Sequence, residues 1–339
     1  MRIGVLTGGG DCPGLNAVIR AACRRLWDDG HETVGVLNGW RGMIDGNLRP
    51  LGWEEISGIL PKGGTIIGTS RTNPHKLEGG VAGVKKTFEQ VDALIAIGGE
   101  DTLGVAAKLA SEDSLPVVGV PKTIDNDLNG TDYTFGFDTA VYVATEAIDR
   151  VHSTAESHNR IIVVETMGRH AGWIALMSGI AGGADYILIP EQRVDYDDVA
   201  AAVERRRQRG KNFSVIVASE GSELPGVLDE GEVDDFGHVR VENRNIGETV
   251  AQEVEKRTNM QARATVLGYI QRGGTPTPRD RVLGLRFGLK AAELVSSGSW
   301  GQMAALHGDA VVSVPLTEAT AELKLVPDSW YEVAKTFFG

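Results

Sequence analysis

The chain has few cysteines and no long apolar run. Only Cys12 and Cys23 occur among 339 residues, and no CxxC pair is present. That excludes a disulfide framework and a cysteine-bound zinc, and it points to a reducing cytoplasm. No apolar stretch approaches the ~18 residues of a membrane span. The opening MRIGVLTGGG runs straight into a strand pattern, so no signal peptide is expected. Positive charge is also short: 34 Lys and Arg against 46 Asp and Glu give a formal net charge of −12. Nucleic acid and anionic membranes are therefore poor partners. Neither GxxxxGK[ST] nor GxGxxG follows the first strand pattern, which argues against Walker-type ATPases and nicotinamide dehydrogenases. A Ser-His-Asp nucleophile elbow and a His-rich metal site are missing as well.

Glycine is plentiful, at 44 residues, without repeats or low complexity. Such glycine suits many strand-to-helix turns where backbone approaches a ligand. The length fits two packed lobes or one large α/β unit. Strand patterns fall at 3–6, 33–37, 93–97, 117–120, 161–165, 186–189, 214–218, 264–268 and 311–314. Amphipathic stretches lie between them, at 13–27, 102–109, 138–154, 198–209, 247–256 and 279–295. This alternation predicts right-handed crossovers and mostly parallel sheets covered on both faces. The acidic stretch 229–235 reads as a solvated loop or exposed hairpin. After about Gly298 the pattern predicts one strand and a closing helix.

Ligands of open α/β sheets sit at the carboxyl ends of strands. Four unusual segments fall there: GGGDCPG, GGEDT, PKTIDND and MGRHAG. In the first, Gly8–Gly10 precede a helix expected from Pro13, and backbone amides there can hold an anion. Alone, this run fits a plain tight turn equally well. Glu100 and Asp101 follow Gly98–Gly99. A carboxylate in a phosphate site is repulsive unless it holds a cation, so a Mg²⁺ ligand is one role and an acidic helix start is the simpler one. PKTIDND gathers Lys122, Asp125 and Asp127. Phosphoryl transfer to a hydroxyl needs a base near the acceptor and cations near the developing charge. Asp125 suits the base, with Lys122 beside it. Arg160, Arg169, Arg263 and Arg272 flank strand patterns in an acidic chain, which suggests phosphate clamps.

Taken together, TGGGDCPGLNAVIR, GGTIIGTSR, IGGEDT, PKTIDND, GFDTA, RIIVVETMGRHAG, ASEG and LGYIQRGGTPTPRDR resemble the phosphofructokinase family, in family order over roughly residues 1 to 290. The resemblance implies an α/β phosphofructokinase fold of two Rossmann-like lobes with mostly parallel sheets. Residues 1–138 with about 250–300 would bind donor, and 139–249 with about 301–339 would bind sugar phosphate. It implies that Gly10 contacts the donor phosphate, and that Glu100 is the Mg²⁺ carboxylate, usually Asp in the family. Thr123 would touch the transferred group, with Ile124 beside it, and Asp125 would be the base. Met167, Gly168 and Arg169 would line the sugar and the transition state, Arg169 as a catalytic residue, and Glu220 would accept a hydroxyl. Arg160 and Arg263 would reach a neighbouring subunit's 6-phosphate, while Arg272 would hold it within the subunit, with Tyr269 replacing a frequent His. A homotetramer or homodimer with shared sites is implied.

Two positions bear on the phosphate donor. ATP-using members read GGDG, with glycine where Asp101 stands. A second carboxylate ~4 Å from an α-phosphate costs roughly 4 kcal/mol at an effective dielectric of ~20, about a thousandfold in binding. Lys122 replaces a glycine of many ATP users. Both favour pyrophosphate with fructose 6-phosphate, with an ATP-dependent 6-phosphofructokinase as the alternative. A ligand-binding regulatory subunit is disfavoured by the intact Asp125, Glu100 and Arg169. Arg20 and Arg24 match effector arginines of allosteric members, but Trp53 and His152 stand where others are expected, so no nucleotide switch is expected.

Overall fold

Buried apolar runs decide where the sheets form. In the computed structural model, which describes residues 1–226 and 244–339, the central strands are mostly apolar. The acidic stretch 229–235 lies outside the described residues. The strands are β1 (Arg2–Thr7), β2 (Glu32–Val36), β3 (Leu48–Pro50), β4 (Ala93–Gly98), β5 (Val117–Thr123), β6 (Phe135–Gly136), β7 (Ile161–Thr166), β8 (Tyr186–Leu188), β9 (Ser214–Ser219), β10 (Ala262–Val266), β11 (Gln302–His307) and β12 (Ala310–Pro315). Every residue of β4, β5, β7 and β9 is buried, as expected for parallel strands covered on both faces.

The chain divides into two units. The first contains Met1–Thr139 and Arg272–Leu323. Its sheet runs β12-β11-β5-β4-β1-β2-β3, with β6 paired to β5. The pairings are parallel except β2 with β3 and β11 with β12. The helices Leu15–Asp28 and Pro278–Ser296 pack closely together. Gly288 permits this, because a Cβ there would lie 2.5 Å from the Val18 carbonyl oxygen.

The second unit contains 140–226, 244–271 and Lys324–Gly339. Its all-parallel sheet runs β10-β7-β9-β8. Ile161, Val163, Ile216 and Ala218 meet Val250 and Val254 of the helix Ile246–Thr258 in its core. The closing helix Asp328–Lys335 docks through the Tyr331 hydroxyl, which donates to the Ile187 carbonyl at 2.9 Å.

Three boundaries differ from the sequence expectation. Residues 250–271 fall in the second unit, because β10 pairs with β7. Residues up to Leu323 fall in the first, because β11 pairs with β5. The tail after Gly298 holds two strands and two helices rather than one of each, since β11 and β12 form a hairpin. The strand expected at 264–268 sits at Ala262–Val266, and Gly268 has left it with a φ of 50°.

Candidate active site

The loop after β1 is tied down by its carbonyls. The Gly9 carbonyl accepts from Thr69 Oγ1 at 2.6 Å, and the Gly10 carbonyl accepts from Lys122 Nζ at 2.5 Å. Arg272 Nη1 donates to the Asp11 carbonyl at 3.3 Å. The Arg272 guanidinium lies so close that a Cβ on Gly10 would stand 2.6 Å from Nη1. Any side chain at position 10 would therefore have to displace that guanidinium. The helix begins at Leu15 rather than Pro13, behind Gly14 at a φ of 108°. Lys122 is only 3 % exposed, and burial lowers its proton affinity.

Gly98 pairs with Pro121 across the sheet, so the β4 turn meets the end of β5. There Glu100 and Asp101 open the helix Glu100–Ser111. Past Thr123 the chain turns sharply. The Asp125 amide donates to Thr123 Oγ1 at 3.0 Å. Asn126 adopts a left-handed φ of 53°, and its Oδ1 accepts from the Thr134 amide at 3.1 Å. Asn126→Ala loses both the acceptor and the tolerated φ, and is expected to destabilise by about 2–4 kcal/mol. Asn126→Gly keeps the φ and should cost less; equal urea midpoints for the two variants would contradict this role.

Asp127 has its proton affinity pushed up to about 7, by burial first and the Asp125 charge second, with Glu100 adding to it. Negative charge thus accumulates in this corner, which is the environment a divalent cation relieves. Among the described residues, no three His, Cys, Asp or Glu side chains form a metal-binding group. A Mg²⁺ ion would fit here as one usually does, on a single carboxylate with substrate phosphate oxygens and water completing its shell.

A buried carboxylate anchors the start of the helix Phe137–His158. Asp280, 1 % exposed, accepts from the Thr139 amide at 2.8 Å and from Thr139 Oγ1 at 2.6 Å. Burial raises its pKa from 3.8 to about 6. The folded value is raised, so this penalty is absent below the unfolded value and grows as pH climbs to 6. Asp280→Asn removes it. Relative to wild type, the variant should therefore gain about 2 kcal/mol between pH 4 and pH 7. Urea unfolding at both pH values checks this, and a pH-independent difference would contradict it.

In the second unit, Met167, Gly168 and Arg169 follow β7, and Glu220 follows β9. The Ser219 hydroxyl donates to the Gly168 carbonyl at 2.6 Å, and the Glu220 amide donates to the Thr166 carbonyl at 2.8 Å. Gly168 has a φ of 131°, a conformation that favours glycine. The Met167 amide donates to the buried Gln271 side chain at 3.3 Å. Tyr269, 65 % exposed, stands on the 3-10 turn Gly268–Arg272. Arg160 and Arg263 do not join Arg169. They sit at the amino-terminal ends of β7 and β10, the opposite ends from Met167 and Glu220.

Sequence reasoning assigned no role to several residues that shape these loops. Thr102 is one: a Cβ on Gly8 would lie 2.5 Å from its Oγ1. Arg244 is another, donating to the carbonyls of Glu220 at 3.4 Å and Ser222 at 3.2 Å. Thr69, Asn126 and Asp280 lie in the motifs already quoted, but residue type alone does not separate a loop support from a ligand. Trp53 lies 5.1 Å beneath the Arg24 guanidinium.

In each unit, cations, glycines and carboxylates stand at the carboxyl ends of parallel strands of an α/β fold. The chain belongs to the phosphofructokinase family, whose model, "Phosphofructokinase", matches residues 2–295. It is 58% identical over 347 residues to "Pyrophosphate--fructose 6-phosphate 1-phosphotransferase" of Amycolatopsis mediterranei (strain S699), covering 100% of both chains. It is 53% identical to "ATP-dependent 6-phosphofructokinase" of Mycobacterium tuberculosis, again over 100% of both. A solved phosphofructokinase from Saccharomyces cerevisiae superposes with a TM-score of 0.78 at 30% identity. That match covers 99% of this chain but only 46% of the yeast chain, so the protein spans about half the yeast chain's length.

Proposed function

We propose that this chain moves a phosphoryl group from pyrophosphate to the 1-hydroxyl of fructose 6-phosphate. The products are fructose 1,6-bisphosphate and orthophosphate, and the reaction runs both ways. Relatives above 50% identity carry names with either donor, so overall similarity does not choose between them. The observation that carries the choice is Lys122. Its buried ammonium is fixed on the Gly10 carbonyl, at the end of the strand facing the Gly99–Asp101 turn. A buried cation there suits a compact leaving phosphate that has no nucleoside to anchor it. Asp101 opposes the additional phosphate that ATP would bring.

In this reading Asp125 takes the proton of the sugar 1-hydroxyl. The new O–P bond forms as the bridging P–O bond of pyrophosphate breaks, and orthophosphate departs. Lys122 and Gly10 hold the donor, and Thr123 with Ile124 lies along the transferred group. Met167, Gly168, Arg169 and Glu220 orient the sugar. Glu100 would hold Mg²⁺, which when bound neutralises phosphate charge. Arg272 and Tyr269 would clamp the 6-phosphate. Arg160 and Arg263, at the other strand ends, would serve the site of a second copy in a homodimer or homotetramer. The free, buried Cys12 and Cys23 suit the cytoplasm.

The reverse reaction tests this reading. Fructose 1,6-bisphosphate with orthophosphate should yield pyrophosphate at a rate within about tenfold of the forward reaction, because the two phosphate bonds are of similar energy. No orthophosphate-dependent turnover, with turnover on ADP instead, would overturn it.

A further inference from the structure

A cavity of about 330 Å³ opens in the second unit, lined by three cations and three aromatic rings. The cations are Arg193, Arg205 and Lys335. The rings are Tyr186, Tyr331 and Phe338. The cavity shares no residue with the candidate active site. Its volume falls in the range of small-molecule pockets, roughly 300–1,000 Å³.

Its walls are fixed by contacts within the unit. Tyr186 and Phe338 stack at 4.4 Å, and Tyr331 meets Phe338 edge-on at 5.9 Å. The Tyr331 hydroxyl is held by the Ile187 carbonyl at 2.9 Å. Gln192 joins the surrounding loop to the closing helix through Asp328 at 2.9 Å. The rings therefore stand in place without a ligand.

The arginines of the helix Tyr196–Gln208 divide into two sets. Arg206 pairs with Asp185 at 2.8 Å and Arg207 with Glu204 at 2.9 Å. A basic last turn is ordinary for a helix, and these pairs account for it. Arg205 instead faces the cavity, and no carboxylate pairs with it or with Arg193 among the described residues. In a chain of net charge −12, two unpaired arginines on an aromatic-lined hollow are a local reversal of sign. Lys335, over the Tyr331 ring at 5.4 Å, is shared with Glu332 at 2.7 Å. Asp198 also lines the hollow and can accept from a hydroxyl.

We propose that this cavity binds a small phosphate monoester, with its phosphate on Arg193 and Arg205 and its organic body against the aromatic rings. Arginine is suited to phosphate through its fork of donors. The rings exclude a bare inorganic anion as the best ligand, since it would leave their surface unused. Asp198 suits a ligand carrying hydroxyl groups, as sugars and nucleosides both do.

Titration calorimetry on the intact protein tests this, run in parallel on wild type and Arg205→Ala, so that binding at the active site, common to both proteins, is separated from binding at the cavity. Three probes are compared: inorganic phosphate, glucose 6-phosphate and uridine 5′-monophosphate. At least one ester should bind about tenfold or more tightly than inorganic phosphate. Tighter uridine monophosphate indicates a nucleotide ligand, and tighter glucose 6-phosphate a sugar phosphate. Arg193→Ala and Arg205→Ala should each weaken that ester about tenfold, while Arg207→Ala on the same helix should not. Each variant should retain wild-type turnover, which also shows that it is folded. Esters that bind no better than phosphate, or that bind Arg205→Ala unchanged, would overturn the proposal.

Discussion

Asp125→Asn is expected to lower kcat about a thousandfold, while the KM for fructose 6-phosphate moves less than about threefold. Asparagine keeps the shape and one acceptor, so the turn and the sugar pose should survive. It cannot take the hydroxyl proton. The side chain stands on a turn fixed from both sides, by Thr123 Oγ1 on the Asp125 amide at 3.0 Å and by Asn126 on the Thr134 amide at 3.1 Å. In this account Asp125 is a firmly placed base, and removing it should appear in kcat. Burial and the Asp125 charge raise the neighbouring Asp127 to about 7, so in this account activity should fall as pH falls through 7. As pH falls through 7, Asp127 gains a proton, and its hydrogen bonding and its field on Asp125 change together. Steady-state kinetics of the purified variant checks the claim. A fall below about tenfold would show that the proton leaves by another route.

Asp101→Gly is expected to raise kcat/KM for ATP by about a hundredfold or more. The two carboxylates opening the helix Glu100–Ser111 differ in what they face in this account. Glu100 serves the cation. Asp101 opposes a further phosphate, and the Coulomb cost of ~4 kcal/mol at ~4 Å sets the upper end of the gain, near a thousandfold. Pyrophosphate turnover should fall far less, because pyrophosphate has no third phosphate to meet Asp101. Lys122→Gly behaves differently: it removes a buried cation bonded to Gly10 and should depress pyrophosphate use directly. Asp101→Gly with unchanged ATP kinetics would contradict the charge account of donor choice.

The parallel sheets were legible because β4, β5, β7 and β9 are largely apolar runs followed by glycine or charged loops. Less legible was anything that depends on partners far apart in sequence. The short β3 and β6 hold too few residues for a period to show. β11 is mostly buried, yet its place beside β5 depends on a neighbour about 180 residues away. The unit boundaries failed for the same reason, since pairing rather than composition assigns β10 and β11. The contact of Lys122 with the Gly10 carbonyl joins two segments that the sequence had singled out separately. That Arg272 lies against Gly10 was not legible, because that contact closes a loop across most of the chain. Asn126 read as loop polarity, but it supplies a left-handed φ and an acceptor at once.

The central claim is the donor, and it is tested most directly by initial rates with fructose 6-phosphate and Mg²⁺, supplying pyrophosphate or ATP in parallel at saturating sugar. The account predicts that kcat/KM for pyrophosphate exceeds that for ATP by at least about a hundredfold. An equal or larger kcat/KM for ATP would contradict it.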